Sequence, residues 1–148
     1  MIETKFFNAI NKPDLLQKEG IVDFLFENLQ EYGDPKPYIE KAVDYALKET
    51  PSFGGFLLIS YQNQEISGAV VVNQTGMKDY IPENILVYIA THKKHRGKGI
   101  GKELINKAID LSKGSIALHV EPENPARHLY QKVGFSSKYI EMRLNKER

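Results

Sequence analysis

Ile89-Ala90-Thr91-His92-Lys93-Lys94-His95-Arg96-Gly97-Lys98-Gly99-Ile100-Gly101 joins an apolar run to a cluster of basic residues and spaced glycines. An apolar run, Ile85 to Thr91, passes through a basic loop into the glycine-spaced start of a helical pattern. The first N–H groups of a helix lack intrahelical partners and lie at the positive end of its dipole, so such a start is an anion site. Gly97, Gly99 and Gly101 place no side chain between a phosphate and the backbone, and Arg96 and Lys98 add charge and donors. The segment is built to grip phosphate.

Spacing decides which phosphate compound it suits. A Walker A loop needs G-x-x-x-x-G-K-[ST], but Gly101-Lys102 is followed by Glu103 and Arg96 stands where the first glycine belongs. A G-x-G-x-x-G dinucleotide loop fails from Gly97, which leads to Lys102, and from Gly99, which leads to Leu104. The pattern that fits is [QR]-x-x-G-x-[GA], on Arg96, Gly99 and Gly101. Further along, a predicted strand Ser115–Val120 precedes Asn124-Pro125-Ala126-Arg127-His128-Leu129-Tyr130-Gln131-Lys132-Val133-Gly134-Phe135, an N-x-x-A-x-x-L-Y-x-K-x-G-F block. In these two blocks, about a third of the chain, the sequence resembles the GCN5-related N-acetyltransferase (GNAT) family.

That resemblance implies a site for acetyl-CoA. Backbone groups of Ile89, Ala90 and Thr91 would bond the pantetheine arm in the manner of an added strand. The segment Arg96, Gly97, Lys98, Gly99, Ile100 and Gly101 would wrap the pyrophosphate. Asn124 would hydrogen-bond the pantetheine, and Tyr130 would place its hydroxyl near the thioester sulfur. A phenol with an ordinary pKa of about 10 stays protonated at neutral pH and can protonate a departing thiolate. The residues alone leave alternatives open: Tyr130 can be a core aromatic, Asn124 a helix cap, and the lysines of the loop a solvated face.

The rest of the chain reads as one α/β domain over residues 1–148, with its cofactor-binding part at about 85–135 and the order β-α-α-β-β-β-α-β-α-β around a single mixed sheet. A first strand is expected over Ile2–Ile10. A helix from Pro13 carries Leu15, Leu16, Val22, Leu25, Phe26 and Leu29 at helical spacing, with Gly20 as a possible interruption. After the Gly33-Asp34-Pro35-Lys36-Pro37 break, Ile39, Ala42, Val43, Ala46 and Leu47 form one face of a second helix. Gly55–Tyr61 and Ile66–Gln74 read as a hairpin. Gly99–Leu111 and Pro125–Val133 read as helices, the first with Ile100, Leu104, Ala108 and Leu111 on one side, and Tyr139–Leu144 as a closing strand.

Composition narrows the function. The 148 residues include no cysteine, which removes disulfides, thiolate metal sites and a cysteine nucleophile. Group transfer must then use another nucleophile or pass directly between two bound substrates. The net charge of +1 conceals an asymmetry: residues 1–83 hold 7 Lys/Arg against 13 Asp/Glu, and residues 84–148 hold 13 against 6. A basic C-terminal half suits a polyanion, and an acidic N-terminal half suits a cationic partner. The basic run lacks the interleaved aromatics of a nucleic-acid platform, and no apolar run reaches membrane-span length. His92 and His95 read as solvated loop residues, with no metal-ligand spacing. A cytoplasmic monomer or homodimer acting on a small-molecule or peptide amine is expected, with a non-catalytic acyl-CoA-binding module as the rival.

Two features stay open at this level. The strand before the loop holds no acid, so the base that receives the amine proton can be Glu83, Glu121, His119 or water, with Tyr88 lining the cleft. Tyr32, Asp34, Tyr38, Phe53 and Tyr80 are candidate walls for the acceptor.

Overall fold

The computed structural model describes residues 3–146, which divide into two compact units, the first ending at Leu118 and the second beginning at His119. The expected strand residue Ile2 lies outside the described residues. In the first unit, strand β1 spans Glu3–Phe7 and stops short of Ile10. The cause is local: Asn8 turns the chain, its Oδ1 accepting from the N–H of Ile10 and of Asn11.

Helix α1 covers Leu15–Leu29 and opens with a capping box. The Gln17 N–H donates to Asp14 Oδ1 at 2.7 Å, and the Asp14 N–H donates to Gln17 Oε1 at 2.9 Å. Gly20 does not interrupt the helix. The buried stripe is Ile21, Val22, Phe24, Leu25 and Asn28, whereas Leu15, Leu16 and Phe26 are exposed. The buried stripe is therefore rotated from the expected one, with Leu15 and Leu16 exposed in the first turn. A 3₁₀ turn at Gln30–Tyr32 and the Gly33–Pro37 break follow, and helix α2 covers Lys36–Leu47. Ile39, Val43, Ala46 and Leu47 are buried on the predicted face, with Ala42 packed at its edge.

Strands β2 (Gly55–Gln62) and β3 (Glu65–Gln74) meet in a two-residue turn in which Asn63 and Gln64 both take positive φ, as a tight hairpin requires. Strand β4 is Asn84–Thr91, helix α3 is Ile100–Leu111 and strand β5 is Ile116–Ala117. The five strands form one sheet in the order β1-β2-β3-β4-β5, antiparallel except for the parallel β4–β5 pair. Alternation along the strands sends Leu57, Ile59, Ala69, Val71, Tyr88 and Ala90 into the core shared with α1 and α2. The alternate residues, including Leu58, Val70, Val72 and Leu86, are buried on the α3 side. Gly68 permits that packing, since a Cβ there would lie 2.5 Å from Leu104 Cδ1.

One irregularity shapes the sheet. Val71 pairs with Tyr88 but Val72 pairs with Leu86, which leaves Val87 as a bulge in β4. Strand β5 pairs with β4 only at Asn84↔Ile116 and Ile85↔Ala117, just before that bulge. The strand expected over Ser115–Val120 is thus confined to two residues, because the bulge bends β4 away and the ladder cannot continue. Among the described residues, β4 beyond Ile85 is paired through β3 alone.

The second unit holds helix α4, Ala126–Lys132. The closing strand expected over Tyr139–Leu144 is not formed: this segment has no regular structure, and Tyr139, Ile140, Met142 and Leu144 are each more than 80% exposed. Its alternation is strand-like, but a strand needs a ladder partner, and none is present among the described residues of this unit. No helix among the described residues is long and apolar enough to cross a membrane.

Candidate functional site

The glycine-rich basic segment lies in the first unit, between the end of β4 and the start of α3. Gly97 and Gly99 both take φ of +83°, a left-handed conformation that penalises any other residue. A Cβ at either position would meet nothing within 4 Å, so the glycines answer to backbone conformation and leave open space. Gly99 is the N-cap of α3, and no side chain caps the helix. The first helical bond runs from the Glu103 N–H to the Gly99 carbonyl, leaving the N–H groups of Ile100, Gly101 and Lys102 outside the ladder. Arg96 and Lys98 are exposed beside them.

The loop is held from below by a residue that the sequence reading missed. Asn28, buried on α1, donates from Nδ2 to the Phe24 carbonyl at 2.9 Å and accepts from the Lys93 N–H at Oδ1 at 3.1 Å. Arg96 Nη2 donates to the Asn28 carbonyl at 2.8 Å, so one end of its guanidinium is fixed to α1. The available signal was a polar residue three positions after Leu25, on the apolar stripe. His92 is also less free than expected. It is half-buried, its Nδ1 accepts from the Lys94 N–H at 3.1 Å, and its ring lies against Phe24 and His95.

Ile89, Ala90 and Thr91 lie past the bulge, where β4 is laddered to β3 on one side. Their other edge offers backbone donors and acceptors to an extended ligand, as in β-augmentation.

The candidate bases separate. Glu83 Oε1 accepts from the Ser115 N–H at 2.7 Å and Oε2 from the Asp79 N–H, and these backbone bonds lower its pKa. It stitches the start of β4 to the segment before β5 and is poorly placed to take a proton. Tyr88 is buried, and its hydroxyl donates to Asp34 Oδ2 at 2.5 Å. Burial and that carboxylate raise the Tyr88 pKa, so the phenol stays a donor. Of the other candidate walls, Tyr38, Phe53 and Tyr80 are exposed.

In the second unit, Asn124 Oδ1 accepts from the Ala126 N–H at 2.9 Å, the capping role that competed with ligand binding; its amide N–H groups can still donate. The Tyr130 ring is buried and meets Phe135 edge to face at 6.0 Å. Burial pushes its pKa up to about 12, and its hydroxyl has no hydrogen-bond partner among the described residues. His119, expected inside a strand, is exposed beyond the end of β5, and Glu121 is exposed as well. Among the described residues, no group of three or more His, Cys, Asp or Glu could hold a metal ion.

Comparison with known proteins adds a family. Residues 19–135, more than half of the chain, match the sequence profile described as the acetyltransferase (GNAT) family. A spermidine N(1)-acetyltransferase of Vibrio cholerae is 41% identical over 63 residues, which are 38% of this chain and 36% of that protein. The chain thus spans little more than a third of that relative. N-alpha-acetyltransferase 30 of Schizosaccharomyces pombe is 26% identical over 105 residues, 68% of each chain. Among solved structures, an aminoglycoside N-acetyltransferase in complex with CoA aligns at a TM-score of 0.71 and 15% identity, covering 100% of this chain and 96% of the other. At that identity the likeness is one of fold.

Proposed function

The chain belongs to the acetyltransferase (GNAT) family, and from that premise we propose that it is an acetyl-CoA-dependent N-acetyltransferase acting on a primary amine of a small molecule or peptide. Transfer is direct, within a ternary complex. The observation that carries this reading is the pair of left-handed glycines leading into an uncapped helix beside the one-sided stretch of β4. The helix N–H groups of Ile100–Lys102 donate to a diphosphate, with Lys98 and the free donors of Arg96 around it. From there an extended arm runs back along Thr91, Ala90 and Ile89 toward the bulge. Asn124 donates its amide to that arm.

Acetyl-CoA supplies an acyl carbon already activated as a thioester. The chain's part is to hold that carbon and the amine together and to manage two protons. Tyr130, kept protonated by its raised pKa, donates its proton to the departing sulfur, and the proton that the attacking nitrogen loses passes to water. No cysteine exists to carry the acyl group, which favours direct transfer over a covalent relay. Relatives named for spermidine and for N-alpha-acetylation support an amine acceptor.

An acceptor screen with acetyl-CoA, following free thiol, tests the proposal, and a chain without cysteine gives that assay no protein background. Turnover with at least one amine, and intersecting initial-rate lines when both substrates are varied, is expected. CoA binding with no thiol release from any amine would leave only a non-catalytic binding module, and parallel lines with an acylated protein would overturn direct transfer.

A further inference from the structure

Asp34 is an anion held in place with no counter-ion. It is exposed, in the break between α1 and α2, and its Oδ2 accepts the Tyr88 hydroxyl at 2.5 Å. No lysine or arginine pairs with it among the described residues. Lys36, two positions on, is bonded to Asp23 at 2.6 Å. The partner that fixes Asp34 comes from β4, one residue past the Val87 bulge, where the strand loses its β5 partner. A hydrogen-bonded, uncompensated carboxylate at the surface is a receptor for an ammonium group.

We propose that Asp34, oriented by Tyr88, binds a positive charge on the acceptor, and that the preferred acceptors are amines carrying a second cationic group. This rests on the cofactor reading above, which brings the acyl carbon to the β4 edge near the bulge. Tyr88 rises from the sheet into the core shared with α1 and α2, so Asp34 stands a full tyrosine side chain away from that edge. A cation bound at Asp34 is therefore not the nitrogen that attacks. The acceptor reaches from one to the other and needs two nitrogens several bonds apart. The acidic N-terminal half, 7 Lys/Arg against 13 Asp/Glu over residues 1–83, adds a general pull in the same direction. Tyr88 is a positioning residue, acting through Asp34.

The test is calorimetric titration of 1,4-diaminobutane and of n-butylamine into the protein, with and without saturating CoA. Wild type is expected to prefer the diamine. Asp34→Asn keeps an acceptor for the Tyr88 hydroxyl but removes the charge, and should weaken diamine binding about 10- to 100-fold while changing n-butylamine less than about threefold. Tyr88→Phe should give an intermediate loss and, where turnover is measured, raise KM without lowering kcat. Glu40→Gln removes an exposed acid elsewhere in the same half and should behave as wild type. Equal binding of the two amines by wild type, an Asp34→Asn protein that keeps the diamine preference, or an equal loss in Glu40→Gln would overturn the proposal. Thermal stabilisation by CoA reports separately on the cofactor reading, and the diamine preference without CoA still reads Asp34 if that reading fails.

Discussion

Replacing Asn28 by alanine separates a residue that fills the core from one that holds the phosphate loop. The change removes the bond to the Phe24 carbonyl at 2.9 Å and the bond from the Lys93 N–H at 3.1 Å. The Phe24 carbonyl keeps its helical partner, and exposed Lys93 can turn its N–H to water, so neither group is stranded at full cost. Two ordinary hydrogen bonds at about 1 kcal/mol each give a loss of about 2 kcal/mol. For a chain of this size that is a fall in Tm of about 4–8 °C. The Arg96 anchor goes to the Asn28 backbone carbonyl and survives the substitution, but the loop loses its tether at Lys93. Ordering that loop then falls on the binding step, and CoA affinity should drop about tenfold. Thermal melts with and without CoA, and calorimetry of CoA, measure both effects. A variant that melts lower yet binds CoA as wild type does would make Asn28 a core residue and refute the tether.

Tyr130→Phe should lower kcat about 10²-fold, near the low end for general acid catalysis because a thiolate is a fairly stable anion, with CoA affinity unchanged. Wild-type turnover in that variant, where chemistry limits the rate, would remove Tyr130 from the mechanism. The same residue predicts an alkaline weakness. Its pKa is about 12 when folded and about 10 when unfolded, so the folded state holds the proton more tightly. The stability this gives is fully present below pH 10 and lost as pH rises through 12. A gap of about two pH units corresponds to about 3 kcal/mol. Tyr88, whose pKa is also raised, adds to the loss. Urea midpoints at pH 8, 10 and 11.5 check it, and a flat profile would contradict the burial argument.

Local signals in the sequence were enough for much of the scaffold. The glycines at 97 and 99 mark a turn that takes a left-handed backbone, with Gly101 in the first turn of α3, and the apolar face of α2 is read from period alone. What stayed hidden depends on contacts distant in sequence. Asp34 and Tyr88 are 54 positions apart and meet only once β4 lies beside the α1–α2 break. The Val87 bulge has no compositional mark, and it is what cuts β5 to two residues. The stripe of α1 was misplaced because Leu15 and Leu16 carry the right chemistry but are exposed in the first turn. Tyr139–Leu144 failed as a strand for a related reason, since alternation specifies a face and not a partner.

In the proposed function, Arg96–Gly101 holds the diphosphate of coenzyme A. Calorimetric titration of CoA into the wild-type protein and into Gly99→Glu tests it most directly. Gly99 takes φ of +83° in open space, so glutamate there adds strain and sets a negative charge where the diphosphate must lie. One CoA per chain with a matching rise in Tm is expected for wild type, and neither for a Gly99→Glu protein that still folds. No heat and no thermal shift for wild type at millimolar CoA, or equal binding by the variant, would contradict it.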